Sequence, residues 1–289
     1  MTILNVFTFV TVSILIASIA ETAGADELLL HLRSRGAAET KSARISESHM
    51  TAHWKPTATA ILICDMWDHH WCAGATKRVG EMAPVMNEVI KAARKRGVFI
   101  IHAPSDTMDY YKGTPQRRRA TEAPPAKAPV DMSTWCAIDP AKEPPLPIDD
   151  SDGGCDDSPT CTQHKAWSRE HPAIEIAAED AVTDSGLEVY NLLQQHGIEN
   201  VIVMGVHTNM CVLGRSFGIR RLVSAGKHVV LMRDMTDTMY NSRSKPFVPH
   251  FEGTDLMIKH IETYWCPTVT STDFLHRPEF HFEGETKAR

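Results

Sequence analysis

The sequence predicts an α/β protein in which a parallel sheet carries helices on both faces. Short apolar runs of strand length alternate along the chain with segments of helical periodicity. Such alternation is typical of parallel sheets assembled from strand–helix–strand units. Polar residues also follow several of the apolar runs directly. The ends of such strands are where parallel sheets place ligand sites, so this spacing predicts one site at one edge of the sheet.

Six strands and four helices account for this alternation. The predicted strands are the runs TATAILIC, GVFIIHAP, PAIEI, VIVMG, HVVLM and PTVTS. The predicted helices cover 77–96, 186–196, 212–225 and 254–264. The first has its apolar residues on one face and stops at Gly97, which is a common residue after a helix end. The polar segment 27–53, before the first strand, is predicted to be helix-prone.

The N-terminus has the pattern of an export signal. Residues 3–20 form an apolar run, and Ala23-Gly24-Ala25 is the small-x-small pattern after which signal peptidases cut. We therefore expect a signal peptide over 1–25, a single mature domain over 26–289, and a periplasmic or secreted protein. The alternative is a retained membrane anchor, because the run is close to bilayer-spanning length.

Composition limits the partners and the cysteine chemistry. The 289 residues are 43% hydrophobic and carry a formal charge of −6, which gives no support for nucleic acid or an anionic membrane as a partner. There are seven cysteines. An odd number leaves at least one free thiol in an oxidising compartment, and Cys155 and Cys161 are the easiest local disulfide pair.

The segment 104–172 is too long for an ordinary connection between a strand and the next element. Prolines cluster in TEAPPAKAP and DPAKEPPLP, and the stretch DDSDGGCDDSPTC follows them. We expect this segment to be an insertion or a cover over the active site.

The stretch GVHTNMCV contains the candidate nucleophile, Cys211. A cysteine in the first turn of a helix lies near unpaired backbone N–H groups, which favour a thiolate and can hold a developing oxyanion. Asp65, at the end of a neighbouring strand, is placed to take the thiol proton and pass it to a leaving amine. The alternative is that Cys211 packs as a small apolar side chain while Asp65 caps a turn.

ILICDMW and GVHTNMCV together resemble the isochorismatase-like cysteine hydrolases, which include nicotinamidases. The second motif matches the family's Gly-Val-Ala-Thr-Asn/Asp-x-Cys-Val signature except for His207 in place of alanine. The resemblance implies a three-layer α/β/α, Rossmann-like sandwich with a six-stranded parallel sheet. It implies Cys211 as the nucleophile and Asp65 as the acid/base. It also implies a non-proline cis peptide between Val206 and His207, which helps the Cys211 N–H to form an oxyanion hole.

The third member of the family's triad, a lysine after the third strand, has no counterpart here. Its expected position falls near Ala178, where Glu179 is the nearest ionisable side chain. Lys165 precedes the predicted strand and would have to reach in from the insertion. A histidine, either His207 or His102, is the remaining candidate for the polar partner.

A metal site is not supported by ligand spacing. Nicotinamidases hold a divalent ion with an Asp-x-His pair after the second strand, whereas this chain has His102 and Asp106 without that pair. The stretch WDHHWC contains zinc-ligand types at Asp68, His69, His70 and Cys72. A solvated rim with a disulfide at Cys72 is the favoured interpretation. We expect no required cofactor, although a divalent metal remains possible.

The acidic stretch 149–157 alternates carboxylates with glycines, as calcium loops do. It lacks the twelve-residue loop and its terminal glutamate, so a turn-rich loop pinned by Cys155 is the better interpretation.

The leading functional prediction is an exported cysteine hydrolase that cleaves a small amide through a thioester on Cys211. Trp67 and Asn209 are predicted to contact the substrate, although Trp67 could equally belong to the core. The alternatives are vinyl-ether hydrolysis of the isochorismatase type, which does not require the cysteine, and a non-catalytic protein that binds a small molecule. The resemblance also implies a homo-oligomer. We expect no membrane partner after removal of the signal peptide.

Overall fold

The computed structural model describes residues 27–36 and 46–285. The predicted signal peptide, 1–25, lies outside the described residues. Within these two ranges, no helix combines the length and the apolar character needed to cross a membrane.

The sheet has eight strands rather than the six that the sequence predicts. The strands are β1 (Leu28–Arg35), β2 (Glu47–Trp54), β3 (Thr59–Cys64), β4 (Phe99–Ala103), β5 (Ala181–Val182), β6 (Asn200–Val206), β7 (His228–Asp237) and β8 (Thr268–Val269). Their spatial order is β2-β1-β8-β7-β6-β3-β4-β5. The six strands from β8 to β5 are parallel, as predicted, and β1 and β2 are the additional ones.

The two additional strands come from the segment predicted to be helix-prone. They form an antiparallel hairpin, and β1 also pairs antiparallel with β8. The start of β1 alternates as a strand requires, because Leu28 and Leu30 are fully buried while Leu29 is exposed. Arg33 and Arg35 each donate to the buried carboxylate of Glu262 at 2.7 Å. These ion pairs allow a polar segment to lie at the edge of the sheet.

The predicted strand PAIEI is wrong. The third parallel strand along the chain is instead β5, which begins at Ala181, seven residues after Ile174. Backbone N–H groups in this segment donate to side chains and not to a neighbouring strand. The N–H of Ala173 donates to His171 Nδ1 at 3.2 Å, and the N–H of Glu175 donates to Asn87 Oδ1 at 2.9 Å. Hydrogen bonds to side chains therefore replace the strand pairing that was predicted for this segment.

The helices are α1 (Ala73–Lys95), α2 (Met108–Tyr111), α3 (Pro115–Thr121), α4 (Gly186–Gln195), α5 (Cys211–Gly214), α6 (Ile219–Ser224) and α7 (His250–Tyr264). Three of the four predicted helices are present, the fourth is split, and two short helices, α2 and α3, lie in the segment 104–172 where none was predicted. The helix predicted over 212–225 is split into α5 and α6. The break begins at Arg215, whose ψ of 156° is extended, and a Cβ on Gly218 would lie 2.9 Å from backbone atoms of Leu213.

The sheet separates two apolar layers, which confirms the three-layer architecture. Along β3, Leu62 faces the cluster that contains α4, α6 and α7, while Ile61 and Ile63 face the cluster that contains α1. Alternate side chains of one strand therefore pack against helices on opposite faces, as a parallel sheet buried on both sides requires.

The order of the parallel strands reverses between β3 and β6, and this is the point at which such folds bind ligands. Asp65 directly follows β3, and His207 directly follows β6. The two strands approach closely because Gly205 has φ 114° and a Cβ there would lie 2.0 Å from the carbonyl oxygen of Cys64. Only glycine fits this position, and it brings the two strand ends together.

Candidate active site

Asp65 is the fully buried carboxylate of the site. It has φ 48°, so the chain turns sharply at the end of β3 and directs the residue toward the edge of the sheet. Its Oδ1 accepts a hydrogen bond from the backbone N–H of Ser105 at 2.7 Å. Burial raises the pKa of Asp65, while the positive charge of Arg215 and the bonds from Ser105 oppose that rise.

Cys211 is the first residue of α5, and its side chain is nearly buried beside Asp65. Burial and the negative charge of Asp65 raise the pKa of the thiol, and Arg215 and the backbone N–H of His207 lower it less. The thiol therefore holds its proton beside the Asp65 carboxylate. The resting thiolate expected from the sequence is not favoured, because α5 is a single turn and desolvation dominates.

Arg215 supplies the positive charge of the site, and the sequence interpretation missed it. Its Nε donates to Asp65 Oδ2 at 3.1 Å, and its Nη2 lies 3.6 Å from Asp106 Oδ2. Its guanidinium also lies 6.0 Å from the ring centroid of Trp135. Arg215 follows Cys211 by four residues, a spacing that brings two side chains of a helical turn together. That spacing is the signal that could have identified it.

Glu179 does not join the site. Its carboxylate is 64% exposed and lies 3.7 Å from Arg94 Nε. The prediction placed it after the third strand, but the true third strand, β5, begins two residues later at Ala181. Glu179 therefore precedes that strand and lies away from the carboxyl ends where Asp65 is found.

Two of the three other candidates for the missing lysine, Lys165 and His102, are also engaged elsewhere. Lys165 Nζ donates to the backbone oxygen of Asp106 at 2.7 Å, so it meets the rim of the site but not Asp65. The ring nitrogens of His102 lie 2.7 Å from Glu170 Oε2 and 3.1 Å from Asp180 Oδ2. Burial lowers the pKa of His102, but the two carboxylates outweigh it and raise the pKa to about 9.

The peptide bond between Val206 and His207 is cis, as the resemblance implies. The backbone oxygen of His207 accepts from the N–H groups of Met210 and Val212 at 3.0 and 3.1 Å, which forms the tight turn that delivers Cys211. Burial and the nearby His70 ring hold the pKa of His207 well below its usual value. Its Nε2 is buried and has no hydrogen-bond partner among the described residues.

Trp67 and Asn209 brace the loops around the site. The indole Nε1 of Trp67 donates to Ser105 at 3.0 Å, and its ring stacks on Trp167 of the insertion at 4.3 Å. The Asn209 amide exchanges hydrogen bonds with the backbone of Met239 and donates to an aspartate of the acidic loop at 2.7 Å. Their substrate-binding role stays a prediction, whereas the structure places Trp67 in the core.

The insertion lies directly over the turn that carries Cys211. The backbone N–H of Cys136 donates to the oxygen of Gly214 at 2.6 Å. A Cβ on Gly214 would lie 2.4 Å from the ring of Trp135, so the indole packs directly on the α5 backbone. Trp135 itself remains 49% exposed, at the outer surface of this contact.

The residues of WDHHWC do not form a shared metal site. The carboxylate of Asp68 accepts from Ser168 at 2.5 and 2.9 Å, and His70 Nδ1 accepts from the backbone of Cys72 at 3.1 Å. His70 stacks instead on Trp167, at 5.8 Å. In the described parts of the chain, the one group arranged to hold a metal ion consists of Cys72, Cys155 and Asp157.

No family model matches the chain, and no curated protein matches it. Solved structures do align with it over about three quarters of its length. A cysteine hydrolase from Pseudomonas syringae pv. phaseolicola 1448A aligns at 17% identity and a TM-score of 0.47, covering 75% of this chain and 91% of its own. An isochorismatase from Pseudomonas putida KT2440 aligns at 14% identity and a TM-score of 0.46, covering 76% and 91%.

An N-carbamoylsarcosine amidase from Thermoplasma acidophilum aligns at 11% identity and a TM-score of 0.38, covering 74% of this chain and 96% of its own. The solved structures that align with this chain therefore include a cysteine hydrolase, an isochorismatase and one amidase. The likeness is one of fold, and the chemistry of this site has to be read from its own residues.

Proposed function

We propose that this protein is a cysteine hydrolase that cleaves the C–N bond of a small amide. The observation that carries the proposal is the arrangement of three side chains. The Cys211 thiol lies close enough to the buried carboxylate of Asp65 for that negative charge to raise the pKa of the thiol, and Arg215 Nε donates to Asp65 Oδ2 at 3.1 Å. A nucleophile, a base and a group that orients the base are the parts that covalent catalysis needs.

The first half of the reaction follows from this geometry. Asp65 accepts the proton of the Cys211 thiol while the sulfur attacks the amide carbonyl carbon, giving a tetrahedral intermediate. Asp65 then gives the proton to the leaving nitrogen, the C–N bond breaks, and a thioester and a free amine or ammonia remain. Arg215 favours the ionised form of Asp65 before the attack, because its charge offsets the cost of burying the carboxylate.

Water completes the cycle. Asp65 accepts a proton from the water that attacks the thioester carbonyl, the C–S bond breaks, and Asp65 returns the proton to the sulfur. The N–H of Cys211 lies at the start of α5, where the first N–H groups of a helix lack helical partners. Together with the turn at Val206 and His207, it is our candidate for the group that stabilises the oxyanion.

The proposal also includes export after removal of 1–25, a small-molecule substrate, self-association and no metal or cofactor in the reaction. The apolar run and the Ala23-Gly24-Ala25 pattern support export. Mass measurement of the N-terminus of the secreted protein tests it, and sedimentation tests the oligomeric state.

Ammonia release from a panel of small primary amides tests the activity. Wild type and Cys211→Ala are compared, with Cys136→Ala as the matched control, because Cys136 lies in the insertion and its hydrogen bond to Gly214 comes from the backbone N–H, which the substitution keeps. We expect turnover by the wild type and the control and none by Cys211→Ala, and hydroxylamine should trap the acyl group from the wild type. Turnover that survives in Cys211→Ala rules out the thioester and favours cysteine-independent hydrolysis, as in vinyl-ether cleavage. Binding without turnover of any panel member favours the non-catalytic alternative.

A further inference from the structure

Three cysteines and one aspartate converge at a second place in the fold. Cys72 immediately precedes α1, and Cys155, Asp157 and Cys161 come from the insertion. The sulfurs of Cys72, Cys155 and Cys161 lie 3.3, 3.5 and 3.3 Å from the same oxygen, Asp157 Oδ2. This group, the Cys3Asp cluster, takes no part in the proposed hydrolysis.

The spacing within the Cys3Asp cluster suits a tetrahedral metal ion. Zinc binds sulfur at about 2.3 Å and carboxylate oxygen at about 2.1 Å, so neighbouring sulfur and oxygen ligands of a tetrahedral site lie about 3.6 Å apart. The three sulfur–oxygen distances, 3.3 to 3.5 Å, are close to this value. The ligand atoms of Cys72, Cys155 and Asp157 also lie within 4.8 Å of one another, and the Cys161 sulfur lies outside this group of three. We propose that Cys72, Cys155 and Asp157 are three ligands of a structural zinc site, and that Cys161, whose sulfur lies 3.3 Å from Asp157 Oδ2, moves in as the fourth when the ion binds.

The surroundings of the Cys3Asp cluster hold its ligands in place. The backbone N–H of Gly74, in the first turn of α1, donates to Asp157 Oδ2 at 2.9 Å. Arg243 donates to the backbone oxygens of Asp156 and Asp157 at 3.2 and 3.1 Å. A Cβ on Gly74 would lie 3.1 Å from Asp157 Oδ1, so glycine leaves room for the carboxylate. Such outer contacts orient the ligands of metal sites.

The residue types select zinc over harder cations. Thiolates are ligands of zinc and of other soft metals, whereas calcium and magnesium take oxygen ligands. Zinc binding would deprotonate the thiols and release their protons to solvent. A disulfide would use only two of the three sulfurs and leave the third beside the carboxylate, whereas a tetrahedral ion uses all four groups.

Zinc at this place would connect the insertion to the body of the fold. It would join the start of α1 to the acidic loop, and the same loop already meets the turn of the candidate active site, where Asn209 donates to Asp150 at 2.7 Å. The site is separate from Asp65, Cys211 and Arg215, so it does not depend on the hydrolase activity.

Metal analysis of the purified full-length protein tests the proposal. We expect about one zinc ion per chain in the wild type and in Cys136→Ser, and less than a tenth of that in Cys155→Ser. Cys136→Ser is the matched control, since it removes a cysteine of the same insertion outside the Cys3Asp cluster. Zinc content that is unchanged in Cys155→Ser overturns the proposal.

Cobalt gives a readout that does not depend on the folding of a variant. Wild-type protein stripped with a chelator under reducing conditions and titrated with Co²⁺ should show sulfur-to-cobalt charge-transfer absorption and the visible bands of tetrahedral cobalt, which Zn²⁺ then removes. Absence of both signals in folded protein overturns the proposal. Mass mapping without reduction completes the test. A disulfide between any two of Cys72, Cys155 and Cys161 in the protein as purified also overturns it.

Discussion

Replacing Arg215 with glutamine tests the electrostatics of the site most directly. The substitution removes a positive charge whose nitrogen lies 3.1 Å from Asp65 Oδ2. Two opposite charges about 4 Å apart attract by about 4 kcal/mol at an effective dielectric constant of 20. Arg215 is one quarter exposed, so solvent screens part of this attraction. A net loss of about 2–3 kcal/mol corresponds to a fall in kcat/KM of about 30- to 150-fold.

The same substitution has a pH signature that needs no substrate. Arg215 lowers the pKa of Asp65 and the pKa of Cys211. Its removal should raise both, so the pH midpoint for iodoacetamide labelling of Cys211 should move upward, and the acidic limb of the activity profile should move upward as well. Mass spectrometry follows each cysteine separately, which keeps the other thiols from obscuring the result.

Two control variants distinguish an effect on the pKa of the Cys211 thiol from an effect on the access of the reagent to its sulfur. Arg118→Gln removes an exposed arginine that donates to the backbone of Gly113, so it should leave the midpoint unchanged. Arg215→Lys retains the charge and should restore much of the original midpoint. The plateau rate at high pH reports access to the sulfur, and only the midpoint reports its proton affinity. A midpoint that stays in place in folded Arg215→Gln refutes the electrostatic role assigned to Arg215.

Three further substitutions test other parts of the structure. Asp65→Asn should reduce ammonia release about 10²–10⁴-fold by removing the base. It should also move the labelling midpoint of Cys211 to lower pH, because the carboxylate raises the pKa of that thiol. An upward shift of the midpoint would contradict this. The pKa of His102 is raised to about 9, so its ion pairs stabilise the fold fully below about 6.5 and lose that contribution as the pH rises through about 9. Thermal unfolding from pH 6 to 9.5 should therefore show a steeper loss in the wild type than in His102→Gln, and parallel curves would contradict the assignment. Gly205→Ala should lower the free energy of unfolding in urea by more than about 3 kcal/mol, because the added Cβ meets backbone atoms. Gly197→Ala, also at positive φ but in open space, should lower it by about 1 kcal/mol. Equal losses would show that the positive φ alone matters.

Five of the six parallel strands and two candidate site residues could be predicted from the sequence for one physical reason. Central strands are buried on both faces, so they appear as continuous apolar runs such as TATAILIC and VIVMG. Polar residues directly after such runs must lie at the carboxyl edge of the sheet. This reasoning placed Asp65 and the turn before Cys211 at the ends of neighbouring strands, and the strands concerned, β3 and β6, are indeed paired.

The elements that were missed depend on contacts between distant segments. The β1 and β2 hairpin is polar, and β1 is held at the sheet by ion pairs with Glu262, more than two hundred residues away. The Cys3Asp cluster joins Cys72 to residues more than eighty positions later. No local period reveals either contact, because each side chain acquires its partner only when the whole fold has formed.

Arg215 was missed for a different reason. Its spacing of four residues from Cys211 is visible in the sequence, but the sequence does not show that this side chain binds Asp65. The resemblance directed attention to a lysine after the third strand, whereas the proposed chemistry requires only a positive charge beside Asp65. A single turn of helix after Cys211 is enough to supply it, provided that the helix then stops. The break after Gly214 lets Arg215 turn to Asp65 and Asp106 instead of continuing along a helix axis, and the insertion covers this break through Trp135. The insertion, the helix break and the Arg215 guanidinium therefore form one structural unit. A substitution that extends α5 through Gly218 should move Arg215 away from Asp65 and raise the pKa of that carboxyl, even if Cys211 does not move.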